Sequence, residues 1–159
     1  MKKNAYFEEQ ERIVREHDAW YCAHMKLKEQ IIREHGWDSE EMDAWYKEKE
    51  AHPFPVSEGA RKAYRAWRSS PDDLEAVMDD FTWDRERHDF ISALREAGIV
   101  TLVVTNQSTG LMEDLHGYAA EGCEMIGLCT ITKKENRWGK ETVEEIMGIR
   151  FWVGSGIGQ

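Results

Sequence analysis

Three sets of side chains in this sequence could do chemistry. The first is Asn106-Gln107-Ser108-Thr109-Gly110, which follows a β-branched apolar run and opens a helical pattern. Open α/β sheets bind ligands at the carboxyl ends of their strands. The helix that such a loop opens turns free N–H groups and the positive end of its dipole toward it. The amide of Gln107 and the hydroxyls of Ser108 and Thr109 could complete a small-ligand site there, or Ser108 or Thr109 could simply cap the helix. The glycines and lysine of a P-loop are missing, which argues against nucleotide binding.

The second set is the carboxylate row Asp72, Asp73, Glu75, Asp79, Asp80, Asp84 and Glu86. Asp72 and Asp73 read as first-turn partners of a helix dipole. Asp79 and Asp80 would then fall at that helix's C-terminal end, where the dipole disfavours them. Carboxylates projected in such a row could imitate nucleic-acid phosphates, or form a solvated face. The third set is the metal-ligating types His17, Cys22, His24, His116 and Cys123. On one helix His17 and His24 share a face, but Cys22 points about 140° away from His17. Cys123 and Cys129 lie about 20 Å apart along a strand. No CxxC or HExxH pair occurs, so a structural zinc would need ligands from distant segments. GxSxG is also absent, and no carboxylate pair stands out as a general acid and base.

The elements that must position these groups fall into two halves. A first helix spans about Tyr6–His35, with Gly36 as its stop. A second starts at Asp38, with Glu41 as capping-box partner. After His52-Pro53-Phe54-Pro55, Ser57 opens a third helix with Ala60, Ala63, Tyr64 and Trp67 inward. Its opposite side carries Arg61, Arg65 and Arg68, which pair with nearby acids or meet phosphates. Ser70-Pro71 opens a fourth, short helix, with Leu74, Val77, Met78 and Phe81 on its apolar side. Beyond residue 80 the pattern reads α-β-α-β-β. A helix capped by Asp84 and ended by Gly98 is followed by a strand over Ile99–Thr105 and a helix with Leu111, Met112, Leu115, Tyr118 and Ala119 inward. Strands at about Cys123–Thr132 and Glu145–Val153 flank a polar loop, Lys133–Lys140. The first two strands are expected to be parallel through a right-handed crossover, and the last two to form a hairpin. The expected fold is α+β, with a helical region (1–80) packed on a small α/β unit (81–159) built around a three-stranded mixed sheet.

Bulk properties restrict the partners. The 159 residues carry 31 acidic and 21 basic side chains, a formal charge of −10. The halves contribute 19 against 13 (residues 1–80) and 12 against 8 (81–159), so the acidity is not a tail. Such a field repels nucleic acid and anionic membranes and attracts basic proteins. Three cysteines leave one over from any disulfide set, which points to reduced thiols and a cytoplasmic setting. The N-terminal residues lack the apolar core of a signal peptide, and no apolar run reaches membrane-span length. Seven tryptophans in so short a chain supply candidate interface anchors.

The stretch VVTNQSTGLMEDLHGYAAEGCEMIGLCTITK and the closing GIRF resemble an uncharacterised family of small domains from bacterial mobile genetic elements. That resemblance implies a setting in which small acidic proteins inhibit host defence, as anti-CRISPR proteins do, and it transfers no catalytic residue. The expected function is a non-enzymatic inhibitor that binds a basic nucleic-acid-binding protein, such as a CRISPR effector nuclease, through the carboxylate row. It would have no direct contact with nucleic acid or membrane, and no cofactor beyond a structural zinc. The alternative is a small-ligand-binding or hydrolytic α/β domain using the Asn106–Gly110 loop.

Overall fold

The structure is a computed structural model and describes residues 2–105 and 110–154. The chain forms two compact units, one of residues 4–57 and one of residue 58 onward together with the first three residues. Each is described by itself.

The first unit is a helical pair, α1 (Ala5–His35) and α2 (Glu40–Ala51). Asn4 caps α1 by accepting the Phe7 N–H, and Gly36 ends it at φ 80. Ser39, one residue after the expected Asp38, caps α2 by accepting the Met42 N–H. Its centre is a reciprocal clasp: Trp45 Nε1 donates to the His24 carbonyl at 2.7 Å, and His24 Nε2 lies 3.0 Å from the Trp45 carbonyl oxygen. Their rings stack at 4.3 Å, and Trp20 stacks on His24 at 4.7 Å and on His52 at 4.2 Å. A histidine with both ring and carbonyl committed in this way serves packing, as stacked aromatics do.

The second unit contains α3 (Glu58–Arg68), β1 (Glu75–Met78), α4 (Asp84–Glu96), β2 (Thr101–Val104), α5 (Leu111–Ala120), β3 (Glu124–Arg137) and β4 (Lys140–Trp152). The α+β class stands, but the sheet has four strands, ordered β1-β2-β4-β3, and not three. The extra strand is the segment read from sequence as a fourth helix. Leu74, Val77, Met78 and Phe81 are spaced i, i+3, i+4, i+7 and so mimic a helix face. What decides is the ladder: the Leu74 carbonyl accepts the Val100 N–H at 2.8 Å, and the Met78 carbonyl accepts the Thr105 N–H at 3.0 Å. β1 and β2 pair in parallel from Glu75–Thr101 to Met78–Val104 and are joined through α4.

The expected parallel neighbours, β2 and the strand beginning near Cys123, are not adjacent. β4 lies between them, antiparallel to both. The expected polar loop Lys133–Lys140 is also corrected, because β3 and β4 run through it as a long ribbon. The ribbon closes at Arg137↔Lys140 through Trp138 (φ 57) and Gly139 (φ 77). Two central residues at positive φ match the twist of the flanking strands, as in a type I′ turn.

Alternation along the ladder gives the sheet two faces. Ala76, Leu102 and Phe151 are aligned on one. Tyr118 of α5 stacks on Phe151 at 5.6 Å there, and Phe81 meets Phe151 edge-on at 6.0 Å. On the other face the Glu75 carboxylate accepts from Thr101 Oγ1 (2.7 Å) and Arg150 Nε (3.0 Å), tying three strands together. Arg95 closes the far end of the unit by donating to the carbonyls of Val153 and Glu121. Cys22 is exposed, Cys123 buried and Cys129 half-buried, all as free thiols.

Candidate functional site

A cleft of about 890 Å³ opens at the carboxyl end of β1. Val77 and Met78 end the strand at its floor, and Asp79, Asp80, Phe81 and Thr82 follow. Lys62, Arg65 and Ala66 of α3, with Ser69 just beyond its end, form one wall. The starts of α4 (Trp83, Asp84, Arg85) and α5 (Gly110, Glu113, Asp114) form the rest.

The local fold explains why these groups meet. In a βαβ unit the helix sets out from the carboxyl end of the first strand and returns the chain to the amino end of the next, so the segment after β1 and the start of α4 meet at the same end of the sheet. Trp83 occupies the N-cap position of α4 in extended backbone, with no side-chain cap bond. Asp84, expected as the cap, is instead the first helical residue and pairs with Arg87. Arg87 is held under Tyr118, 5.7 Å from its ring, and against Gly117, where any Cβ would overlap the guanidinium. Thr82 is buried, and its hydroxyl lies 2.8 Å from the Tyr118 phenol oxygen. Burial of Tyr118 pushes its phenol up to about 12, so it stays a neutral hydrogen-bonding strut.

The charges at the cleft differ in how far they are committed. Lys62 holds the buried Glu86 at 2.5 Å, and Arg65 holds Glu58 at 3.1 Å. Asp79 accepts from Thr105 Oγ1 at 3.5 Å, and Asp80 accepts the Phe81 N–H at 2.8 Å. Among the described residues neither aspartate has a cation partner. Trp83 is 67% exposed beside them, and the Arg85 guanidinium lies 5.9 Å from its ring centre.

The seven carboxylates of the sequence row are therefore not one surface. Asp79, Asp80 and Asp84 line the cleft. Glu75 is spent on Arg150 and Thr101, and Glu86 on Lys62. Asp72 accepts the Leu74 N–H in the turn before β1, and the Asp73 carbonyl accepts from Trp67 Nε1. Trp83, Glu113 and Asp114 were not singled out from sequence. The aromatic beside an Asp-rich run was the available signal for Trp83. The ligand candidates Gln107, Ser108 and Thr109 lie outside the described residues.

Among the described residues, no three His, Cys, Asp or Glu side chains form a group able to hold a metal ion. His24 is in the aromatic clasp. His17 Nε2 lies 3.3 Å from the His52 carbonyl oxygen, and its ring meets Phe54 edge-on. Burial pushes the Cys123 thiol up to about 11, away from the thiolate that metal binding needs. Of the arginine stripe, Arg61 and Arg65 pair with Glu58, and Arg68 lies over the Tyr64 ring. None of the described helices is long and apolar enough to cross a membrane.

The chain belongs to the family described as "Domain of unknown function (DUF7698)", whose model matches residues 60–153, from within α3 to just past β4. No curated protein and no solved structure matches it.

Proposed function

We propose that the sheet-bearing unit is a non-enzymatic binding module that takes a cationic group of a basic partner protein into the cleft at the end of β1. The observation that carries this reading is Trp83, two-thirds exposed on the same cleft as two aspartates with no cation partner among the described residues. A guanidinium or ammonium is the group that both an indole face and carboxylates attract. The net charge of −10 adds long-range steering toward a basic surface. Inhibition of a basic nucleic-acid-binding protein, such as a defence nuclease, is one use of this chemistry. Such a protein offers the lysines and arginines that this cleft would take.

A second reading, a small-ligand or hydrolytic domain, is favoured by the cleft's place at the carboxyl end of parallel strands. The two separate in one experiment. Fluorescence anisotropy of a labelled Lys/Arg-containing peptide is measured with wild type, Trp83→Ala and Asp79→Asn/Asp80→Asn, at two salt concentrations. Removing an aromatic–cation contact of about 0.5–2 kcal/mol weakens binding by roughly twofold to thirtyfold, and the double Asn variant weakens it and flattens the salt dependence. No binding of the peptide, or equal binding by all three proteins, refutes the cationic-partner reading. Protection by a neutral or anionic small ligand in its place supports the second.

A further inference from the structure

We infer that the outer edge of β3 is an interface with a second copy of this chain, formed by antiparallel β3–β3 pairing about a two-fold axis at Cys129. Among the described residues β3 is the terminal strand of the sheet and pairs with β4 alone. It is 14 residues long, so its free side presents a row of unpaired N–H and C=O groups. Proteins guard such edges with charges, proline, bulges or brevity. Here the guards stand at the two ends. Ile126 is bulged out of register between Met125 and Gly127, and Lys133 and Lys134 follow Thr132. Between them, Gly127-Leu128-Cys129-Thr130-Ile131-Thr132 has no charge and no proline. Leu128 is 70% exposed, and Met147, diagonal to it across the ribbon, is 64% exposed.

Charge selects the occupant. A protein of net −10 repels its own copy in general, but this segment is neutral and its flanks are opposite in sign: Glu124 on one side, Lys133 and Lys134 on the other. Antiparallel self-pairing sets each glutamate beside the other copy's lysines, whereas parallel pairing would set like against like. The bulge fixes the register. Ile126 drops out of the alternation, so Glu124 and Lys133 share a sheet face. With Cys129 on the two-fold, Glu124 then lies opposite Lys133 of the second copy on that same face. Directly opposed residues in antiparallel strands have Cα atoms about 4.5–5.5 Å apart, inside the span that a disulfide bridges.

The test is sedimentation of the full chain over a dilution series, with Leu128→Lys/Thr130→Lys as the disrupting variant. Both positions are exposed, so circular dichroism and melting stay unchanged while like charges crowd the axis. The expected result is a wild-type dimer and loss of dimer in the variant. In a Cys22→Ser background, which removes the exposed thiol elsewhere, mild oxidation with copper phenanthroline should yield a covalent dimer that Cys129→Ser abolishes. A monomer at every concentration overturns the inference. So does a dimer that survives the double lysine change, or a dimer that Cys129 fails to crosslink.

Discussion

Replacing Gly59 by alanine pits two rules against each other. Gly59 is the second residue of α3, and intrinsic propensity favours alanine there by at most about 1 kcal/mol. The structure points the other way. A Cβ built on Gly59 would lie 2.5 Å from the Glu86 carbonyl oxygen, 2.8 Å from Asp89 Cβ and 2.8 Å from the Phe90 nitrogen. Two of these are backbone atoms of α4, which cannot rotate away. Ordinary contact is about 3.5–4.0 Å, so the helices must part locally by close to an ångström. Overpacking of this kind costs about 1–3 kcal/mol and more against rigid backbone. The net expectation is about 2 kcal/mol of destabilisation, or a fall in melting temperature of about 10 °C for a unit of this size. Because Lys62 of α3 and Glu86 of α4 form an ion pair beside the cleft, parting the helices also loosens its wall. Differential scanning calorimetry gives the magnitude, and hydrogen exchange should place the lost protection in α3 and α4. A variant as stable as wild type, or more stable, would refute the close-packing argument and return the decision to propensity.

Two further expectations test other parts of the molecule. Trp138 holds a left-handed conformation (φ 57) while fully exposed, so it is strained without compensating burial. Trp138→Asn creates the favoured Asn-Gly type I′ pair and should stabilise the ribbon by about 0.5–1 kcal/mol, read as slower exchange of its amides; faster exchange would contradict the turn assignment. His88 of α4 hydrogen-bonds the Glu121 carboxylate at 3.0 Å, which raises its pKa above the ordinary value near 6.5. A raised folded-state pKa means that the stabilisation is complete below the unfolded value and is lost as pH rises through the folded one. NMR titration should find the His88 midpoint above 6.5 and Glu121→Gln should lower it. The stability difference between the two proteins should fade with rising pH, and a persistent difference at alkaline pH would show another cause.

α1 and α2 were legible because caps and glycine stops are local: Gly36 ends α1 as its type requires, and Ser39 misses the expected cap by one residue. The strand at Thr101–Val104 was legible because an apolar β-branched run has few other uses. β1 was not, since four residues between two acidic pairs fit a helical spacing equally well, and the parallel ladder to β2 overrules the local pattern. The ribbon was hidden for the opposite reason. Its outer half is polar, and cross-strand pairs such as Lys133↔Glu144 stabilise it in place of burial. The Trp138-Gly139 turn was the one sequence signal. At the site, the Asp79–Asp84 cluster was visible as composition, but Glu75 and Glu86 could be separated from it only by seeing Arg150 and Lys62 beside them.

The recasting of β1 also removes a difficulty. At the end of a helix Asp79 and Asp80 would oppose the dipole. At the end of a strand they meet no such field, and in an open cleft their mutual repulsion is screened. The dipoles that do bear on the cleft come from the starts of α4 and α5, and in α/β sheets such helix ends commonly receive phosphate. Here the first turns already carry Asp84 and Glu86 on α4 and Glu113 and Asp114 on α5. Those carboxylates take the role that a bound anion would have, which leaves Asp79 and Asp80 as surplus negative charge. On the proposed reading, a cleft whose topology suits anions takes cations instead, and inorganic phosphate should fail to displace a basic peptide from it other than through ionic strength.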